Sequence, residues 1–91
     1  MIVNIDKDSL RAFLSSCEDA EEIGANEYAV DLYETEPALS MNIEFTKDGA
    51  DVLAALYLLY DEEQDGWYLG DKTKDVELIE EVLRQVVEEL A

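Results

Sequence analysis

The sequence predicts an α+β domain in which a helix, a four-stranded antiparallel meander and a second helix form two layers. Two observations carry this reading. Leu39, Met41, Ile43 and Phe45 alternate strictly with Ser40, Asn42, Glu44 and Thr46, the mark of a strand buried on one face. Val76, Ile79, Leu83, Val86, Val87 and Leu90 fall on one stripe at helical spacing, with Asp75, Glu77, Glu80, Glu81, Glu88 and Glu89 largely off it. The chain has 91 residues, enough for one modest core, and no linker, repeat or low-complexity tract divides it. Residues 1–91 are therefore read as a single domain.

The elements follow in order. Leu10, Phe13, Leu14, Cys17 and Ala20 recur at helical spacing, which predicts a helix from about residue 8 to about 21, capped by Asp6 or Asp8 and stopped by Gly24. This helix carries Glu18, Asp19, Glu21 and Glu22 at its end, where the macrodipole disfavours them. Tyr28, Val30 and Leu32 alternate with Ala29, Asp31 and Tyr33 as a strand, and Thr35-Glu36-Pro37-Ala38 turns the chain into the strand at 39–46. Val52 to Tyr60 has helix formers and a partial helical face. The acidic run Asp61-Glu62-Glu63-Gln64-Asp65-Gly66 and the segment Trp67-Tyr68-Leu69-Gly70 after it read as a hairpin loop and a returning strand. Strand is the reading adopted for residues 52–60, and helix is the alternative. Thr73 is the expected cap of the last helix. The predicted core is Leu10, Phe13, Leu14, Ile43, Phe45, Ile79, Leu83 and Val86.

If residues 52–60 form a strand, two helices can cover only one face of the sheet. The other face is expected to carry Tyr33, Leu53, Ala55, Tyr57 and Leu59, an aromatic patch that calls for a homodimer or another protein partner.

Charge dominates the composition. Twenty-four Asp and Glu face six Lys and Arg, a formal net charge of -18. Buried unpaired charges cost several kcal/mol each, so nearly all of these carboxylates belong on a surface of about 5,400 Å² by area scaling. No base lies between Arg11 and Lys47, where Glu18, Asp19, Glu21, Glu22, Glu27, Asp31, Glu34, Glu36 and Glu44 accumulate, and none lies between Lys47 and Lys72. Such a surface selects basic partners and repels nucleic acid and anionic membranes.

Several chemistries lose their usual groups. The chain has no His and a single Cys, which removes the commonest general base, the usual triads and most zinc or thiolate metal sites. Its four Gly are isolated, so no phosphate-cradling loop exists. Asp61, Glu63 and Asp65 occupy the first ligand positions of a calcium loop, but Leu69 and Lys72 stand where the later ligands belong. The run is read as an acidic hairpin tip. No enzyme activity, metal or cofactor is expected. The lone Cys17 fits a reducing cytosol and a small buried side chain, and no apolar run has the length of a membrane span, so a soluble cytoplasmic protein is expected.

In charge, size and lack of catalytic groups, the whole chain resembles the phage-encoded inhibitors of bacterial defence systems, the anti-CRISPR and anti-restriction DNA mimics. That resemblance implies a protein that fills the basic groove of a nucleic-acid-binding protein and inhibits it. The residues expected to do so are those in the base-free stretches: Glu18, Asp19, Glu21, Glu22, Asp31, Glu34, Glu36, Asp61, Glu62, Glu63 and Asp65. Two other readings fit the same composition. One is an acidic protein-interaction module such as a chaperone, immunity or regulatory protein. The other is a salt-adapted domain whose carboxylates form an even solvated coat.

Overall fold

A computed structural model describes residues 1–90. It is an α+β fold of two helices and one six-stranded, wholly antiparallel sheet. The elements are β1 (Ile2–Val3), α1 (Lys7–Ser16), β2 (Ala20–Gly24), β3 (Glu27–Leu32), β4 (Leu39–Phe45), β5 (Ala50–Asp61), β6 (Gly66–Asp71) and α2 (Val76–Gln85), which runs on into a π-helical turn, Val86–Leu90. The strand order is β1-β5-β4-β3-β2, and β6 shares with β1 the edge of β5 that β4 leaves free. The sheet thus has two strands more than the meander predicted, one at each end of the order.

The extra strand β2 corrects the first helix. α1 stops at Ser16, and Cys17 is already extended. Residues 20–24 pair with β3 through a tight turn in which Asn26 takes φ 63, a conformation that Asn tolerates. A helix continued to residue 21 would set Glu18, Asp19 and Glu21 against the negative end of its dipole. As an edge strand the same segment spreads its charges into solvent, which also blocks strand addition. Asp6 does occupy the position before α1, although its side chain caps no backbone N–H there. The cap of α2 is Asp75, which accepts from the Leu78 N–H at 3.2 Å, and not Thr73. The Thr73 hydroxyl instead accepts from the Ala55 N–H at 3.0 Å and ties the end of β6 to β5.

Residues 52–60 are strand, within the twelve residues of β5. At about 3.3 Å per residue this strand runs about 40 Å, and it accounts for the long dimension of a molecule measuring 44 × 25 × 25 Å. One sheet face and both helices close a single core. Leu10, Leu14, Ile43, Phe45, Ile79, Leu83 and Val86 are buried in it as expected, together with Val30, Leu39, Met41, Val52 and Val82. Phe13 and Cys17 are only half-buried. The Arg11 guanidinium stacks 4.7 Å from the Phe45 ring, and Tyr28 meets Phe45 edge to face at 5.8 Å. The exposed area is 5749 Å², close to the scaling expectation.

Candidate functional site

Strand parity decides what the uncovered face presents. Ala50 and Val52 point into the core, and Asn42 and Ile43 of β4 pair with Ala54 and Val52, so Leu53 is an extra residue in a bulge. The bulge reverses the alternation of β5. Ala55 is buried and Tyr57 half-buried on the helix side, while Leu56, Leu58 and Tyr60 turn to the open face. Opposite partners share a face, so Leu69 (opposite Leu58) and Trp67 (opposite Tyr60) join them. The expected patch is thereby corrected. Ala55 and Tyr57 leave it, Leu59 lies on the helix side, and Tyr33 is exposed beyond the end of β3. The bare aromatic surface belongs to the β5–β6 hairpin, where Trp67 is 62 % exposed and Leu69 57 %.

This hairpin leaves the body of the sheet. β4 ends at Leu39, opposite Tyr57, and one further bond from the Leu58 N–H to the Ala38 carbonyl closes that edge at 2.9 Å. Residues 59–61 pair with β6 alone. The result is a two-stranded arm with apolar side chains on both faces: Tyr60, Trp67 and Leu69 on one, Leu59 and Tyr68 on the other. Tyr60 and Trp67 pack edge to face at 5.5 Å. The Tyr60 hydroxyl donates to Asp65, and this bond to a carboxylate holds the phenol above its usual pKa, with a smaller contribution from burial. Asp65 itself sits at φ 50 in the turn.

Carboxylates occupy the rest of the open face. Glu27, Glu44 and Asp51 stand directly opposite one another on β3, β4 and β5. The Phe45 N–H donates to the Asn26 carbonyl at 2.7 Å, so the adjoining pair Glu27–Glu44 is of the closer, non-hydrogen-bonded type, with Cα atoms about 4.5 Å apart. Asp51 is relieved by the amine of Met1, but among the described residues Glu27 and Glu44 form no ion pair. Glu21, opposite Ala29, adds a fourth acid on this face. Asp31 accepts from the Ser40 hydroxyl at 2.6 Å and lies in register with Leu56 and Asp71. Two hydrogen bonds from Thr73 and the charge of Lys74 hold Asp71 below the usual carboxylate range. Among the described residues, only Asp51 and Glu81 form ion pairs.

The residues expected from the sequence fall into three places. Glu18, Asp19, Asp31, Glu34 and Glu36 gather at the end of the sheet from which the arm leaves. There the Asp31 N–H donates to the Asp19 carbonyl at 3.1 Å, and Asp19, Asp31 and Glu34 share a shallow depression with Tyr33. Glu21 and Glu22 lie along the β2 edge, where Glu22 accepts from the Tyr28 hydroxyl at 3.1 Å. Asp61, Glu62, Glu63 and Asp65 form the arm's tip, apart from the others. The Glu27–Glu44–Asp51 row and the anchors Trp67 and Leu69 were not expected. The alternation of β4 points Glu44 outward, but only register brings Glu27 and Asp51 beside it. Among the described residues, no group of three or more His, Cys, Asp and Glu is placed to hold a metal ion, and no helix is long and apolar enough to cross a membrane. No family model, curated protein or solved structure matches this chain.

Proposed function

We propose that this chain is an acidic protein-binding module whose open sheet face docks on a partner protein with an apolar contact area ringed by Lys and Arg. The observation that supports it is the juxtaposition on one face of bare Leu56, Tyr60, Trp67 and Leu69 with Glu21, Glu27, Asp31 and Glu44. Large aromatic anchors supply most of the energy of protein interfaces. Surrounding carboxylates steer a basic partner and exclude acidic ones. A solvated acidic coat, by contrast, has no use for exposed Trp67.

The test is affinity capture from lysate of the source cell at low salt after nuclease treatment, comparing the parent with Trp67→Ala combined with Leu69→Ser. Both side chains point away from the helices, so the variant keeps its core. The parent is expected to retain a basic protein, with the variant's affinity at least about tenfold lower. Added salt is expected to weaken the parent complex. Equal retention by parent and variant overturns the assignment of the face. Binding indifferent to salt overturns the role of the carboxylates.

The row Glu27–Glu44–Asp51 favours a second reading, in which the partner's basic surface is a nucleic-acid groove and the chain is an inhibitor that mimics the polyanion. Negative charges stepping across strands at about 4.8 Å make a regular array that a phosphate-binding groove accepts. Under this reading, duplex or single-stranded nucleic acid competes with the chain for the captured partner. Simultaneous binding of both refutes it.

A further inference from the structure

We infer that two copies of this chain pair through the outer edge of β6, arm against arm, in one antiparallel register centred on Leu69. This goes beyond the proposed function, which uses the face of the sheet and not its edge.

The inference starts from the backbone. The Lys72 N–H donates to the Ala55 carbonyl at 2.8 Å, which makes Ala55 and Lys72 a hydrogen-bonded pair. Because such pairs alternate along a ladder, Gly70, Tyr68 and Gly66 also bond inward to β5. Trp67, Leu69 and Asp71 therefore aim their N–H and C=O groups outward, at an edge where no strand of the described residues lies. Edge strands are normally blunted by charge, proline or a bulge. β6 reads Gly-Trp-Tyr-Leu-Gly-Asp, with charge only at its end. β2, at the opposite end of the sheet, carries two Glu in the same role. A two-stranded ribbon is marginal in water by itself, and the outer arm is one; pairing with a copy makes it four-stranded.

Symmetry and charge then choose the register. A two-fold axis normal to the sheet keeps its faces distinct, so only residues of like parity can stand opposite each other. Two such registers overlap most of β6. Centring on Tyr68 sets Asp65 opposite Asp71 of the copy, twice, and like charges directly opposite are destabilising. Centring on Leu69 sets residues 67–71 opposite 71–67, with all three outward-facing residues in hydrogen-bonded pairs. Tyr68 then covers Gly70 of the copy, a pairing that shields an edge glycine. Asp65 comes opposite Thr73 of the copy, between its Lys72 and Lys74, while farther beyond the ends of β6 Gln64 comes opposite Lys74 and Glu63 opposite Asp75. These two lysines have no carboxylate in salt-bridge contact among the described residues, where Arg84 has Glu81. In a chain of charge -18, Asp65 at the arm's tip and the two lysines at its base are complementary to a second copy turned end for end.

The mass in solution at about 0.15 M salt and high micromolar concentration is the first measurement, and twice 10.3 kDa is expected. A strict monomer overturns the inference. Cysteine cross-linking then reads the register in a Cys17→Ala background. Opposite Cα atoms in a hydrogen-bonded pair lie about 5.5 Å apart, within disulfide reach. Leu69→Cys is expected to form a covalent dimer under mild oxidation and Tyr68→Cys to form little. A link at Tyr68→Cys as strong as at Leu69→Cys overturns the register. Finally, Lys74→Glu is expected to raise the dimer's dissociation constant about tenfold, and Asp65→Asn added to it, which keeps the turn residue's positive φ, to recover part of the loss. No effect of Lys74→Glu, or none of the added Asp65→Asn, refutes the tip-to-base contact.

Discussion

Replacing Glu44 by Gln should make the protein more stable, and the gain should disappear in salt. Glu44 stands between Glu27 and Asp51, opposite both. Two carboxylates about 6 Å apart in a water-like dielectric repel by about 0.7 kcal/mol, within the span measured for cross-strand pairs. The Glu27–Glu44 repulsion is felt in full, while the Met1 amine offsets part of that between Glu44 and Asp51. Glu44→Gln keeps the shape and hydrogen-bonding capacity of the side chain, so the expected gain is about 1 kcal/mol at low ionic strength. That corresponds to a rise in Tm of about 4–8 °C for a domain of this size. In 1 M salt the Debye length falls to about 3 Å, and most of the difference between parent and variant should vanish. Thermal unfolding followed by circular dichroism at low and at 1 M salt makes the measurement. A variant no more stable than the parent at low salt, or a gain unchanged by salt, refutes the reasoning. Under the proposed function the same substitution weakens partner binding while it strengthens the fold.

Two further outcomes follow from the core and from Asp71. Leu83→Ala removes a fully buried side chain of α2 and should cost about 3 kcal/mol in denaturant unfolding; a loss under about 1 kcal/mol would mean that the site collapses onto the cavity. Asp71 has a depressed pKa in the folded chain, so its contribution is present above the unfolded carboxylate value and is lost as pH falls through the folded one. Asp71→Asn should therefore lower stability at neutral pH, with the difference from the parent closing in acid; a difference that persists at the lowest pH would assign the effect to packing.

The class of fold and most of its core are legible in the sequence because they depend on local periodicity. The alternation at 39–46 yields β4 and its buried Leu39, Met41, Ile43 and Phe45, and the stripe at 76–86 yields α2. The first helix is overextended because Cys17 and Ala20 continue its spacing. The acids crowded at its predicted end carried the contrary signal. β1 is too short, at two residues, to show any pattern, and it exists because β5 offers Ala50 and Asp51 as partners.

The candidate face is less legible, for a reason that one residue exposes. Strict alternation through 50–60 cannot put Val52 and Ala55 on the same side, yet both are buried. The extra residue Leu53 resolves the conflict by shifting the pairing with β4, and everything after it changes face. Without the bulge, Tyr57 and Leu59 would extend the open face, while Leu56, Leu58 and Tyr60 would turn toward the helix side. With it, the aromatic groups of the outer arm fall on the same face as the row Glu27–Glu44–Asp51, which crosses β3, β4 and β5 on the other side of the bulge. The binding face proposed for this chain therefore depends on the offset at Leu53, because that offset sets the apolar half of the sheet beside its acidic half.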